Sequence, residues 1–146
     1  MGWVAPLHGA VIGLDTAPLI YFIESHPVYA PKVEPLFTAA DRGDLRIVTS
    51  FVTLLEVLVL PLRTGKEDLA NEYRNILLRS RGLTTVPIGQ NIVEEAARLR
   101  AVHNLRTPDA IQLSTAICSG ALFFVTNDGG LPAVPPLSLI VLDKIG

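Results

Sequence analysis

Short unbroken apolar runs alternate along this chain with stretches whose apolar residues recur at a helical spacing. VIGLD, Val11 to Asp15, reads as a short buried strand. A helix follows from about Ala17 to Glu24, and Pro18 is tolerated there because a first-turn N–H has no intrahelical partner. A second helical pattern runs on after Pro31 and closes near Gly43. RIVTS, Arg46 to Ser50, is another strand, and SFVTLLEVLVLPLR continues from it as a helix bent or ended at Pro61. KEDLANEYRNILLRSRG predicts an amphipathic helix, with Leu69, Tyr73, Ile76 and Leu77 on one face and Gly82 as its stop. LTTVPI is a short strand, and QNIVEEAARLRAVHN is a helix on which Ile92, Val93, Ala96, Leu99 and Val102 line up. TPDAIQLSTAICSG is a further helix, with Thr107 as N-cap and Pro108 at the first position. Two β-rich apolar runs, ALFFVT and LSLIVLDKI, close the chain on either side of the turn-rich NDGGLPAVPP. Strands alternating with helices predict an α/β domain with a mostly parallel sheet, in which ligands bind beyond the carboxyl ends of the strands.

Composition narrows the function classes. The 146 residues, 1–146, are read as one domain, long enough to bury a sizeable core and without internal repeats or low-complexity tracts. The chain is 49% hydrophobic, with a mean hydropathy of +0.42, yet no apolar run approaches the ~20 residues of a membrane span. The excess apolar content instead predicts surface covered by a second subunit or a partner. A net charge of -2 excludes a bulk electrostatic DNA binder. It leaves room for a nuclease, whose acidic metal ligands lower the average charge while individual arginines hold phosphates. The stretch MGWVAPLHGAVIGLDT lacks the basic start of a secretory signal, and Pro6 stands where a myristoylation motif needs Ser or Thr. The one cysteine, Cys118, reads as a small core residue, and a reducing, cytoplasmic location is expected.

Against this apolar background four acids stand out. Asp15 ends the first strand and Asp128 lies just past ALFFVT. Asp109 falls in the first turn of its helix, and Glu56 interrupts the run from Phe51 to Leu62. Three of them have a plain structural explanation. Asp15 suits the cap of the next helix, Asp109 complements a helix dipole, and Asp128 in NDGG forms a turn. Glu56 resists such an account, since a carboxylate on a buried helix costs several kcal/mol unless it reaches water, an arginine or a metal. Two acids at strand ends and two near helix starts can face one rim, and an all-oxygen site of that kind suits Mg²⁺ or Mn²⁺.

The order and spacing of GLDTAPLIYFIE, the acid in SFVTLLEVL, RTPDAIQLSTA and FFVTND resemble the PIN-domain ribonucleases, and among them the VapC-type toxins of toxin–antitoxin pairs. The match runs from about Val11 to Leu142. Carried over by position, the resemblance implies Asp15, Glu56, Asp109 and Asp128 as catalytic and metal-holding acids, with Thr16 and Thr126 as hydroxyls that orient them. It further implies a PIN-like three-layer domain with a five-stranded sheet flanked by helices, Mg²⁺-dependent endoribonuclease activity, a homodimer and a cognate antitoxin. Family members often carry charged residues after the fourth acid, where this chain has Gly129 and Gly130. Four carboxylates around one or two Mg²⁺ ions (or Mn²⁺) need no histidine base, and Glu56 would point from its apolar helix into that centre.

Arg106, close to Asp109 in sequence, is the candidate phosphate contact, and single-stranded or looped RNA is the expected substrate. Arg98 and Arg100, and the set Arg63, Lys66, Arg74, Arg79 and Arg81, read as solvated faces. His8, His26 and His103 are scattered, read as surface residues, and lack the spacing of a helical zinc site. The rival from another class is a catalytically silent PIN-like module that binds nucleic acid or protein. A covalent aspartyl phosphatase would need a second aspartate where Ala17 stands. A structured-DNA nuclease would need an added duplex-binding segment, and none is evident.

Overall fold

The computed structural model describes residues 2–145. Five strands form one sheet, β1 (Val11–Leu14), β2 (Arg46–Ser50), β3 (Leu83–Val86), β4 (Phe123–Thr126) and β5 (Ser138–Val141). All pairs are parallel, in the order β3-β2-β1-β4-β5. The six helices are α1 (Thr16–Ile23), α2 (Ala30–Asp41), α3 (Phe51–Arg63), α4 (Glu67–Arg79), α5 (Gln90–Val102) and α6 (Thr107–Cys118). The expected α/β class and five-stranded parallel sheet are therefore present.

Parallel strands must be covered on both faces, and side chains alternate between those faces along each strand. Ile12, Leu14, Ile47 and Val125 join a core with Leu19, Val33, Leu36, Val57, Tyr73 and Leu77 from α1 to α4. Phe124 points the other way, into a second core with Ala96, Leu99, Ala110, Leu113 and Ala116 of α5 and α6. Gly13, in the middle of β1, lets α6 approach closely. A Cβ there would lie 2.6 Å from Ala116 Cβ and 2.8 Å from Phe124 Cδ1. The connections run outward from β1 in both directions, so the sheet has a topological switch point between β1 and β4. The Asp15 N–H donates to the Val125 carbonyl at 2.9 Å, which ties the residue after β1 to that point.

Several local expectations need correction. α3 does not end at Pro61 but runs on to Arg63, although the proline forfeits the bond its N–H would have made to the Val57 carbonyl. The same helix is bare along much of its length, with Leu55, Val59, Leu60 and Leu62 exposed. α6 starts one residue earlier than expected. Arg106 is its N-cap, its carbonyl accepting from Ala110 N at 3.0 Å, and Thr107 is already helical. On α5, Ile92, Ala96 and Leu99 are buried while Val93 and Val102 are exposed. Cys118 is exposed at the end of α6, not in the core. Desolvation and the nearby Glu95 push its thiol above the usual range, the reverse of a nucleophile's need. His26 is half-buried against Tyr21 and Tyr29, its Nδ1 accepting from the N–H groups of Val28 and Tyr29.

Gly82 does not stop α4, which ends at Arg79. It turns the chain into β3 with φ +78°, and a Cβ there would lie 2.1 Å from the Ala40 carbonyl oxygen. Gly82→Ala therefore meets both left-handed strain and a backbone clash, and is expected to destabilise the fold by about 3 kcal/mol. Urea unfolding at neutral pH reads this directly, and an unchanged midpoint would contradict it.

Candidate functional site

Asp15 stands where β1 passes into α1 and serves as the N-cap of that helix. Its Oδ1 accepts from Thr16 N at 2.9 Å, and its Oδ2 accepts from the Thr126 hydroxyl at 2.7 Å. Thr126 is the last residue of β4, so the two central strands present donor and acceptor side by side. Burial raises the Asp15 pKa, the bonds from Thr126 and Thr16 oppose that rise, and the charges of Asp109 and Glu56 add to it. Both acids are thus close enough to act on Asp15.

Glu56, in the second turn of α3, is exposed and accepts from the Thr16 hydroxyl at 2.8 Å. The tension posed by a buried acid on this helix does not arise, because the helix face that carries Glu56 opens to water. Asp109, the third residue of α6, has a side chain only 19% exposed. Its Oδ2 lies 3.3 Å from Arg106 Nε, while the Arg106 side chain is 80% exposed. Asp128 is exposed one residue beyond Asn127, and its Oδ1 accepts from Gly130 N at 2.9 Å, a local turn. Its own N–H donates to the Thr126 hydroxyl at 3.0 Å, so it shares Thr126 with Asp15 through the backbone rather than through its carboxylate.

The structure therefore gathers Asp15, Thr16, Glu56, Asp109 and Thr126 at the carboxyl ends of β1 and β4 and leaves the Asp128 carboxylate turned to Gly130. Among the described residues, no three Asp, Glu, His or Cys side chains converge at ion-binding spacing. The expected convergence of all four carboxylates is corrected to that extent. Glu56, Asp109 and Asp128 each take a different local partner, namely Thr16, Arg106 and Gly130. The donor set is carboxylate and hydroxyl oxygen throughout, and a buried acid flanked by two more gains from a cation, so the residues fit a hard divalent ion.

Three residues escaped the sequence reading. Gln112 of α6 is 3% exposed, and its Nε2 donates to Thr16 Oγ1 at 3.0 Å and to Thr53 Oγ1. Thr53 lies 3.1 Å from the Thr49 hydroxyl, which donates to the Leu14 carbonyl at 2.9 Å. A signal for two of them exists: Gln112 follows Asp109 by one helical turn, and Thr53 precedes Glu56 by one turn, so each shares an acid's helix face. Several of the basic residues elsewhere are engaged locally. Arg74 pairs with Glu67, Arg98 with Glu95, Arg79 reaches Asn75, and Arg100 Nε donates to the Leu105 carbonyl. The histidines take no part in the site contacts.

The raised Asp15 pKa carries a sign. The folded state holds this proton more tightly than the unfolded chain, so Asp15 costs stability as pH rises through its folded pKa, and the cost is relieved below the ordinary aspartate value. Asp15→Asn keeps a capping residue and removes the charge. Without divalent ions, it is expected to raise the unfolding midpoint by a few degrees at pH 7, with the gain shrinking toward pH 4. A midpoint at pH 7 equal to or below wild type would contradict this.

Comparison with known proteins completes the description. Rickettsia felis VapBC2, solved bound to a DNA fragment from its promoter, superposes with a TM-score of 0.71 at 20% identity, over 90% of this chain and 98% of that one. A toxin–antitoxin complex from Klebsiella pneumoniae gives 0.64 at 21% identity, over 89% and 96%. Mycobacterium tuberculosis VapC20, described as a sarcin–ricin loop cleaving toxin, gives 0.67 at 16% identity, over 83% and 92%. At these identities the likeness establishes a shared fold. A comparison with curated protein sequences finds no match. The PIN domain description matches residues 12–136, which takes in all of β1 but Val11, the switch point and every site residue named above. By that match over most of its length, the chain belongs to the PIN-domain family.

Proposed function

We propose that this protein is a Mg²⁺-dependent (or Mn²⁺-dependent) endoribonuclease, the VapC-type toxin of a toxin–antitoxin pair. The observation that carries the reading is Asp15, a largely buried acid at the switch point of the sheet with Glu56 and Asp109 beside it. Such an arrangement is costly without a cation, and costly acids in a cleft mark functional sites more often than structural ones. Membership of the PIN family and the fold shared with toxin–antitoxin complexes support it.

The reaction is hydrolysis of a phosphodiester. Water adds at phosphorus, the bond to one ribose oxygen breaks, and that oxygen leaves with a proton. Asp15, Asp109 and Asp128 would hold the metal directly or through water, and Asp128 must first leave its turn with Gly130. When bound, the divalent ion supplies charge for the phosphate and acidity for a water. Glu56 ligates it or orients the attacking water, and its exposure gives that water access. Thr16 and Thr126 fix the acids through hydroxyl donation. Arg106, mostly in solvent, can exchange Asp109 for a substrate phosphate. Looped or single-stranded RNA bends into such an open rim.

The partners follow the same reading. The exposed Leu55, Val59, Leu60 and Leu62 of α3 suit a homodimer contact, and the cognate antitoxin is the second expected partner. No helix among the described residues is long and apolar enough to cross a membrane, and the cytoplasm, where RNA is available, is the proposed location. The alternative is a catalytically silent PIN-like module binding nucleic acid or protein. The turned-away Asp128 carboxylate is the observation in its favour.

Incubation of purified protein with mixed RNAs decides between them. Cleavage is expected with Mg²⁺ or Mn²⁺ and none with chelator. Asp15→Asn should fall to background, Thr126→Val should lose about 10–100-fold in rate, and Arg106→Gln should raise KM by about fivefold, near the ~1 kcal/mol of an exposed pair. Metal-independent cleavage, or full activity in Asp15→Asn, would contradict the proposal.

A further inference from the structure

Gln112 is an amide sunk among helices, 3% exposed, on the turn of α6 that follows Asp109. Its Nε2 donates to hydroxyls on two other helices, Thr16 of α1 and Thr53 of α3. Its Oε1 is buried with no hydrogen-bond partner among the described residues. A buried unpaired acceptor costs free energy, so the amide is not held in this orientation for its own satisfaction.

Counting protons shows what the orientation achieves. Three threonine hydroxyls, Thr16, Thr49 and Thr53, carry one proton each. The Thr49 proton goes to the Leu14 carbonyl at 2.9 Å, which only accepts. The Thr53 proton is then taken by one of two neighbours, Thr49 at 3.1 Å or Thr16 at 3.0 Å. The contact between Thr16 and Glu56 Oε1 at 2.8 Å takes the Thr16 proton. No hydroxyl proton is left, so Thr16 and Thr53 must act as acceptors toward Gln112, and the amide nitrogen supplies both donations. Reversing the amide would place two more demands on protons already committed.

Two donor chains therefore start at one side chain. One runs from Gln112 through Thr16 to Glu56. The other runs from Gln112 to Thr53, which passes its proton either to Thr16 or to Thr49, whose own proton goes to the carbonyl of Leu14, the residue before Asp15. A hydroxyl that accepts from an amide donates more strongly onward, and the amide protons turn its own proton away from them.

We infer that Gln112 is a positioning residue for Glu56, acting through the hydroxyl of Thr16 to fix that carboxylate for the divalent ion. The inference deepens the nuclease reading and rests on it. Gln112 touches neither substrate nor ion. It sets the direction of the Thr16 proton and thereby the orientation of Glu56 Oε1 beside Asp15. An apolar side chain at this position fills the space and leaves that proton free to turn toward Thr53, 3.0 Å away.

The test is a double-variant cycle on Mn²⁺ binding, followed by calorimetry, with RNA cleavage kinetics alongside. Gln112→Leu and Thr16→Val are each expected to weaken Mn²⁺ about fivefold to tenfold. The double variant should be no weaker than the worse single one, because both break the same chain. Gln112→Leu should lower kcat at saturating Mn²⁺ with KM for RNA unchanged. Gln112→Met, which keeps the length and loses the donors, should behave like Gln112→Leu, and thermal unfolding of each variant confirms that folded protein is compared. Wild-type protein that binds no Mn²⁺ overturns the metal reading itself. Wild-type protein that binds Mn²⁺ overturns the role of Gln112 alone in either of two cases: folded Gln112 variants match it in affinity and kcat, or the single effects multiply in the double variant.

Discussion

The bond from the Thr126 hydroxyl to the Asp15 carboxylate joins the ends of the two central strands, and the rim of this protein is organised around it. Asp15 is asked to do two things. It caps α1, which stabilises the fold, and it keeps a negative charge largely out of water beside Asp109 and Glu56, which does not. Natural folds accept such local costs at functional positions and offset them elsewhere. Here the offset is the pair of apolar cores on either face of an all-parallel sheet.

The close approach of α6 to β1 gives the site its depth. Gly13 has no side chain to hold Ala116 away, and α6 settles near enough for Gln112 to reach α1 and α3 at once. The hydroxyls of Thr16, Thr49 and Thr53 then form a polar seam in an otherwise apolar junction. A seam like this rigidifies what it joins when its members are satisfied, and here all but the Gln112 Oε1 have partners. Under the proposed function this rigidity would matter, because metal sites need their oxygens held in place before the ion arrives.

Much of this was legible in the residues, and the parts that were not have physical reasons. RIVTS was readable as β2 at its full length because the β-branched Ile47, Val48 and Thr49 suit a strand. Asp15 was readable because an acid after such a strand sits at a carboxyl end by construction. The exposure of Glu56 was not. Hydrophobic pattern says that α3 is greasy all round, and only tertiary packing shows that one side of it is left bare. Val93 and Val102 misled for the same reason, as apolar residues at helical spacing on a face the fold leaves in water. Gly82 was mistaken for a helix stop because a glycine after a helix suits either a cap or a turn pressed against a neighbour, here Ala40. Gln112, Thr49 and Thr53 were passed over because sequence marks charge more loudly than buried neutral polarity. All four carboxylates were expected to converge, whereas Asp128 accepts from Gly130 within its own loop, a local turn that the residue pattern NDGG also allows.

In the proposed nuclease, Asp15 and Asp109 would share one divalent ion with Glu56 at hand. Anomalous diffraction from Mn²⁺-soaked crystals of the wild-type protein tests this most directly. A single strong peak within about 2.2 Å of an Asp15 carboxylate oxygen, with Asp109 also in contact, is the result predicted. An ion bound away from Asp15, or no ion at saturating Mn²⁺, would contradict it.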